Sequence, residues 1–222
     1  MHFELFDPEV PVAVSRHHLP HWFQPGVTYF VTFRTADSLP RAVVERWLQD
    51  RDRWLIAHGV RPDNPDWRAK LQLLTLDERE EYHREFSDAF HKYLDAGYGE
   101  CLLRRPEIAE TVAEAVRHFD GERYVIADFV VMPNHVHVLL GLLSETALRD
   151  VCYSWKKFTA TRINRITRRV GHFWQAENFD HLVRTPEQFG YIREYIAKNP
   201  VRAGLKAGEY THYSADLDAD PR

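Results

Sequence analysis

Cysteine is scarce. The 222 residues contain only Cys101 and Cys152, too few for a disulfide scaffold or a Cys-based zinc ribbon and in keeping with an expected reducing cytoplasm. Long hydrophobic runs are missing as well. The most apolar stretch, residues 124–143, is interrupted by Asp128, Asn134, His135 and His137, which a bilayer-spanning helix tolerates poorly, so no membrane partner is expected. The opening MHFELFDPEV has neither a basic nor an apolar segment of the kind a signal peptide needs, and none is expected. Internal repeats and low-complexity tracts are absent. Aromatic residues, by contrast, are plentiful at 13% of the chain, with six Trp, which excludes a disordered polymer. A chain of this length can bury one substantial core, with or without an insertion.

The formal net charge is −4, which argues against a nonspecific polyanion binder when the chain is taken whole. Its distribution is uneven. Residues 77–100 carry eight acids and three bases, whereas residues 149–169 carry seven Lys and Arg and one acid, Asp150. Such a basic run is either a local phosphate-binding stripe or a solvated helix face, and charge alone does not separate the two.

Residues 27–35 alternate β-branched and aromatic side chains after the Pro25-Gly26 turn and predict a strand. Pro40 to Ala57 predicts a helix with Val43, Val44, Trp47, Trp54 and Leu55 near one stripe and Gly59 as its stop. Residues 63–66 read as loop, 77–95 as an acidic and mostly solvated helix, and 106–119 as an amphipathic helix. Tyr124 to Val131 and His135 to Leu140 predict a hairpin of two central strands joined by Met132-Pro133-Asn134. Residues 146–170 predict a helix with Leu148, Val151, Cys152, Trp155, Phe158, Ile163, Ile166 and Val170 on its core face. Lys156, Lys157, Arg165, Arg168 and Arg169 then fall on the outward arc. Residues 179–184 predict a short strand, and Pro186 to Asn199 a last helix halted by Pro200. With residues 60–105 set aside, the order is strand, helix, strand, strand, helix, strand, helix. That is the α+β, ferredoxin-like βαββαβ plan of an antiparallel sheet with helices on one face, plus a C-terminal helix.

Two groups of residues carry chemistry. His135-Val136-His137 sits on a strand, so both imidazoles project from one face and can share a metal ion. Thirteen His in this length predict about 0.8 chance His-x-His pairs, so the motif alone is weak and a core role stays open. A cupin would need a Gly where Phe129 stands and a Glu near Gly141-Leu142, and a TIM-barrel amidohydrolase needs a longer, alternating chain. The second group is YIREYIAKNP, residues 191–200. Tyr195 and Asn199 are four apart on one helix face, alongside Gln188 and Tyr191, with Phe189, Ile192 and Ile196 as the docking stripe. Taken together they suggest phosphoryl chemistry: a tyrosine nucleophile beside a divalent ion held by neutral ligands, with Asn199 as the candidate third ligand.

VVMPNHVHVLL, the helix segment WKKFTATRIN, FWQAENFDHLVR and YIREYIAKNPVRAGL closely resemble the REP-associated tyrosine transposases. These belong to the single-tyrosine HUH nucleases, insertion-sequence transposases that work on single-stranded DNA. RHHLPHWFQPGVTYFVTFRTADSLP also looks like the family's first strand. The resemblance spans about residues 15–39 and 100–206. Residues 40–100 look like a helical insertion found in some members, and the tail, 207–222, matches no pattern. The resemblance implies one HUH domain with Tyr195 as nucleophile, His135, His137 and Asn199 as metal ligands, Tyr191 ranking behind Tyr195, and Mg²⁺ or Mn²⁺ as cofactor. It implies a metal-dependent single-stranded DNA endonuclease and strand transferase that acts on hairpin DNA through a 5′-phosphotyrosine link. Lys156, Lys157, Arg162 and Arg165 are the candidate DNA contacts. The alternative is a domesticated protein that binds such hairpins without cutting them. Monomer and homodimer both stay open.

Overall fold

A computed structural model describes residues 3–16, 20–64, 66–143 and 146–217. The chain divides into two compact units, residues 1–36 with 101–222, and residues 37–100.

The first unit is built on a five-stranded antiparallel sheet. Its strands are β3 (Thr28–Arg34), β4 (Tyr124–Val131), β5 (His135–Leu142), β6 (Phe179–Leu182) and β7 (Thr211–Ser214), in the spatial order β6-β3-β5-β4-β7. A separate two-stranded ribbon pairs β1 (Ala13–Arg16) with β2 (Pro20–Phe23). Every residue of β5 is buried, because the central strand has a helix layer on each face. Val136, Val138, Leu140 and Leu142 join the larger core with α5 (Pro106–Arg117) and α6 (Leu148–Thr167). Leu139, on the alternate face, joins a smaller core with Ile192 and Ile196 of α7 (Pro186–Arg202). Each fully buried Ile contributes roughly 1.5–3 kcal/mol, so these two dock α7 firmly on the sheet. The period-two pleat therefore places His135 and His137 under α7 and the intervening Val136 under α5 and α6.

Helix α7 is capped at both ends. Thr185 Oγ1 accepts from Gln188 N at 3.1 Å while Gln188 Oε1 accepts from Arg184 N at 2.8 Å, a reciprocal cap with Pro186 in the first turn. Pro200 does not halt the helix, contrary to the expectation from sequence. It lies inside, and α7 runs on to Arg202. A proline lacks only its own N–H, and the following amides still bond: Ala203 N to Asn199 O at 3.0 Å and Leu205 N to Pro200 O at 2.9 Å.

Several other expectations need correction. The crossover between β3 and β4 carries α5, with the helix at Arg41–Ala57 in the second unit. The core face of α6 excludes Phe158, Ile166 and Val170, which are 47%, 42% and 99% exposed; Thr159 is buried in their place. The helix ends at Thr167, and Arg168 turns left-handed at φ 54°, so Val170 lies beyond it. The tail carries β7, paired with β4 from Asp128↔Ser214 to Val131↔Thr211. Neither β7 nor the β1–β2 ribbon is apparent in the sequence, since each is four residues long without strong alternation.

The second unit is helical. It comprises α1 (Arg41–Ala57), α2 (Trp67–Gln72), α3 (Leu76–Tyr82), a π-helical turn at His83–Ser87 and α4 (Asp88–Asp95). Helix α2 is additional to the predicted elements. The acidic stretch is less solvated than expected, because Tyr82, Phe86 and Leu94 are buried. Leu55, Val60, Trp67, Leu71, Tyr82 and Phe86 form its core, with Trp47 and Trp54 packed against them. Both indoles are satisfied, Trp47 Nε1 by Phe86 O at 3.1 Å and Trp54 Nε1 by Glu81 Oε1 at 2.9 Å.

Candidate active site

His135 and His137 are 1% and 0% exposed, and their side chains converge. Nε2 of one lies 3.1 Å from Nε2 of the other. Each ring is also held by its second nitrogen, a support that fixes ring orientation and tautomer. Asn134 Oδ1 is 2.8 Å from His135 Nδ1; an amide oxygen only accepts, so Nδ1 carries the proton and Nε2 the lone pair. His137 Nδ1 meets Thr32 Oγ1 at 2.7 Å, across the β3–β5 register that pairs Thr32 with His137. A hydroxyl can donate or accept, so Thr32 is compatible with either tautomer of His137. When Nδ1 donates to Thr32, both Nε2 lone pairs face one point.

Helix α7 brings the phenol to this pair. Tyr195 Oη lies 3.4 Å from His137 Nε2, with the two rings 5.3 Å apart and inclined by 71°. Phe30 stacks on His137 at 5.4 Å and meets the Tyr195 ring edge-on at 6.0 Å, an apolar wall that limits water around the phenol. One turn beyond, Asn199 is fully buried, with neither Oδ1 nor Nδ2 hydrogen-bonded. A buried amide without partners costs about 1–3 kcal/mol per group. An oxygen ligand to a cation is one way to recover that cost. Among the described residues no cluster of three or more His, Cys, Asp and Glu side chains forms.

The remaining candidates lie elsewhere. Tyr191 is 62% exposed. Gln188 is engaged in the α7 cap. The four basic candidates are on α6, which packs on the sheet face opposite to α7. Among them Lys156 is not an outward cation: Nζ donates to Ala176 O at 2.7 Å, and burial pulls its amine down from the ordinary lysine range. Arg162 pairs with Glu114 at 3.4 Å. Lys157 and Arg165 are exposed, with Lys157 Nζ 5.5 Å over the Tyr153 ring.

Three supports escaped the sequence reading. Thr32 and Asn134 orient the histidines; the Asn-His-Val-His spacing hints at Asn134, and no local pattern marks Thr32. The third is Arg193, whose Nε donates to Asp128 Oδ2 at 2.6 Å and whose Nη2 reaches Ser214 Oγ and Ala215 O at 2.9 and 3.0 Å. A register shift between Ile126 and Asp128 is a bulge that turns the Asp128 carboxylate toward α7. Burial pushes that carboxyl up, with Ser214 and Arg193 pulling the other way. The tyrosine helix is thus pinned to β4 and to the residues of β7.

No curated protein matches the chain. Among solved structures it is similar to one described as a REP-associated tyrosine transposase bound to a REP hairpin, at 13% identity over 93% of this chain and 98% of that one, with a TM-score of 0.47. A putative transposase from Deinococcus radiodurans R1 is similar at 14% identity over 80% and 93%, with a TM-score of 0.36. Residues 101–199 match the family model described as transposase IS200 like. That stretch is just under half of the chain and contains His135, His137, Tyr195 and Asn199.

Proposed function

We propose that this protein is a transposase of the IS200-like kind, a metal-dependent single-stranded DNA endonuclease and strand transferase acting on hairpin DNA. The observation that carries the reading is the meeting of the Tyr195 phenol with the paired imidazoles, at 3.4 Å and 3.1 Å. The donor set fits a divalent cation such as Mg²⁺ or Mn²⁺, with His135, His137 and the orphaned Asn199 amide to hold it. Neutral ligands leave such an ion its full charge, and when bound it would polarise the phosphoryl oxygens.

Tyr195 supplies the nucleophile. Its Oη forms a bond to phosphorus as the bond from phosphorus to the 3′ oxygen breaks. The 3′ oxygen leaves with the bonding pair and gains the proton that the phenol loses. The products are a 5′-phosphotyrosine link and a free 3′-OH, and the reverse step on another strand completes transfer. Phe30 and the cores around α7 hold the phenol in place, which favours an oriented attack over attack by water. No described helix is long and apolar enough to cross a membrane, in keeping with a protein that meets DNA in the cytoplasm.

The test is adduct formation. Parent protein with Mn²⁺ and single-stranded oligonucleotides that fold into imperfect hairpins, drawn from any inverted repeats in the DNA beside its gene, should yield an SDS-stable protein–DNA adduct. Tyr195→Phe removes one oxygen, keeps the ring packing, and should yield none; Tyr191→Phe should react like the parent. Adduct from Tyr195→Phe would exclude this nucleophile.

A further inference from the structure

The turn of α7 beyond Pro200 places a cation beside the nucleophile. It is closed by a Schellman arrangement: Leu205 N donates to Pro200 O at 2.9 Å and Gly204 N to Val201 O at 3.0 Å, with Gly204 left-handed at φ 68°. Leu205 packs into the smaller core, which anchors the turn. Residues seven apart lie two turns along one helix face. The Arg202 guanidinium accordingly lies 5.9 Å from the centre of the Tyr195 ring, within cation–π range.

Neighbouring cations on the helix are already engaged, Lys198 with Glu194 and Arg193 with Asp128. Arg202 is exposed and makes no hydrogen bond or ion pair among the described residues. A guanidinium that lies against the attacking residue and meets Glu194 only through space is placed for an anion that arrives with substrate.

We propose that Arg202 binds the non-bridging oxygens of the scissile phosphate and is a further catalytic residue of the tyrosine reaction. The proposal rests on the reading of Tyr195 as nucleophile. The planar fork of a guanidinium matches two phosphoryl oxygens at once. Negative charge spreads over those oxygens as the Oη–phosphorus bond forms and the 3′ oxygen departs, so a fixed cation there lowers the barrier. Arg202 stays protonated throughout and exchanges no proton with the reactants.

Two measurements test it. In single-turnover reactions with Mn²⁺ and the hairpin-forming oligonucleotides, Arg202→Ala should slow adduct formation by about 10²-fold with hairpin affinity little changed. Arg202→Lys should fall between, and added guanidinium chloride should partly restore Arg202→Ala, which loss of helix structure would not allow. In the second, phenylglyoxal labelling of the parent and of Tyr195→Phe is followed by mass spectrometry. Arg202 should be protected by the oligonucleotides in both proteins. Adduct formation at the parental rate in Arg202→Ala, or labelling of Arg202 unaffected by DNA, would overturn the proposal. Protection of Arg202 in a parent that forms no adduct would leave the phosphate contact standing and remove the tyrosine mechanism.

Discussion

The two units of this chain solve opposite problems. The sheet unit, residues 1–36 with 101–222, buries polar groups that hydrophobic burial alone would reject: His135, His137 and Asn199 are all at most 1% exposed. The inserted unit, residues 37–100, builds its core from six aromatic and aliphatic side chains, and the indoles Trp47 and Trp54 packed against it find acceptors. The first leaves both side-chain atoms of Asn199 without a hydrogen bond, and the second leaves Arg79 Nε buried in the same way. Charge does divide them. Residues 37–100 hold 14 acids and ten bases, a balance of −4 equal to that of the whole chain, so the sheet unit is neutral with 19 of each. The acidity that would disfavour a polyanion partner therefore lies entirely in the inserted segment. What sets the sheet unit apart is a pair of buried imidazoles beside a phenol, which makes it the candidate for chemistry.

The largest effect should follow from removing either of the paired imidazoles. His135→Ala or His137→Ala should abolish adduct formation and cleavage in Mg²⁺ and in Mn²⁺, with most hairpin affinity retained. Gel assays of cleavage beside binding isotherms would measure this, with circular dichroism to verify folding. A variant that cuts normally would remove the histidines from metal binding, and one that unfolds would show them to be structural, like the buried aromatics of the inserted unit.

The unevenness of the two units also explains what could be read from sequence. The β4–β5 hairpin was legible because a central strand buried on both faces is nearly continuous in apolar residues, so His135 and His137 stand out against it. Tyr195 and Asn199 were legible from helical spacing once paired with the histidines. The end of α7 was not, since Pro200 resembles a stop and the closing Schellman bonds depend on Gly204 and on Leu205 finding a core. Arg202 was hidden with it. Thr32 was hidden because its role arises from pairing with His137, 105 residues away. In the inserted unit, a break into α3, a π-helical turn and α4 has no periodic signature, because short helices around aromatic anchors do not sustain one.

A core truncation in the inserted unit should have a middling effect, confined to that unit. Leu55 is fully buried in its core, and Leu55→Ala should cost about 2–4 kcal/mol. Urea unfolding followed by Trp fluorescence would register it, since Trp47, Trp54 and Trp67 all lie in or against that core. The same variant should form adduct at the parental rate in dilute buffer. Ile196→Ala, in the core under α7, should both destabilise and slow adduct formation. Equal slowing by the two variants would break the division between a catalytic and a purely structural unit.

The smallest effect concerns the basic helix α6, and it separates two adjacent lysines. Lys157 is exposed with its ammonium over Tyr153, whereas Lys156 has turned inward to the carbonyl of Ala176. Only a solvated cation can release counterions from a nucleic-acid backbone. If α6 touches DNA at Lys157, Lys157→Ala should lower the slope of log affinity against log salt by about 0.7, the value for one phosphate contact on a single strand. Lys156→Ala should leave that slope unchanged and instead loosen the loop at residues 175–176, lowering the melting temperature slightly. Hairpin titrations at three or more salt concentrations, with thermal melts alongside, would measure both. An unchanged slope in Lys157→Ala would return this helix to a solvated face. A changed slope in Lys156→Ala would mean that the amine leaves Ala176 when DNA binds, despite the desolvation it already bears.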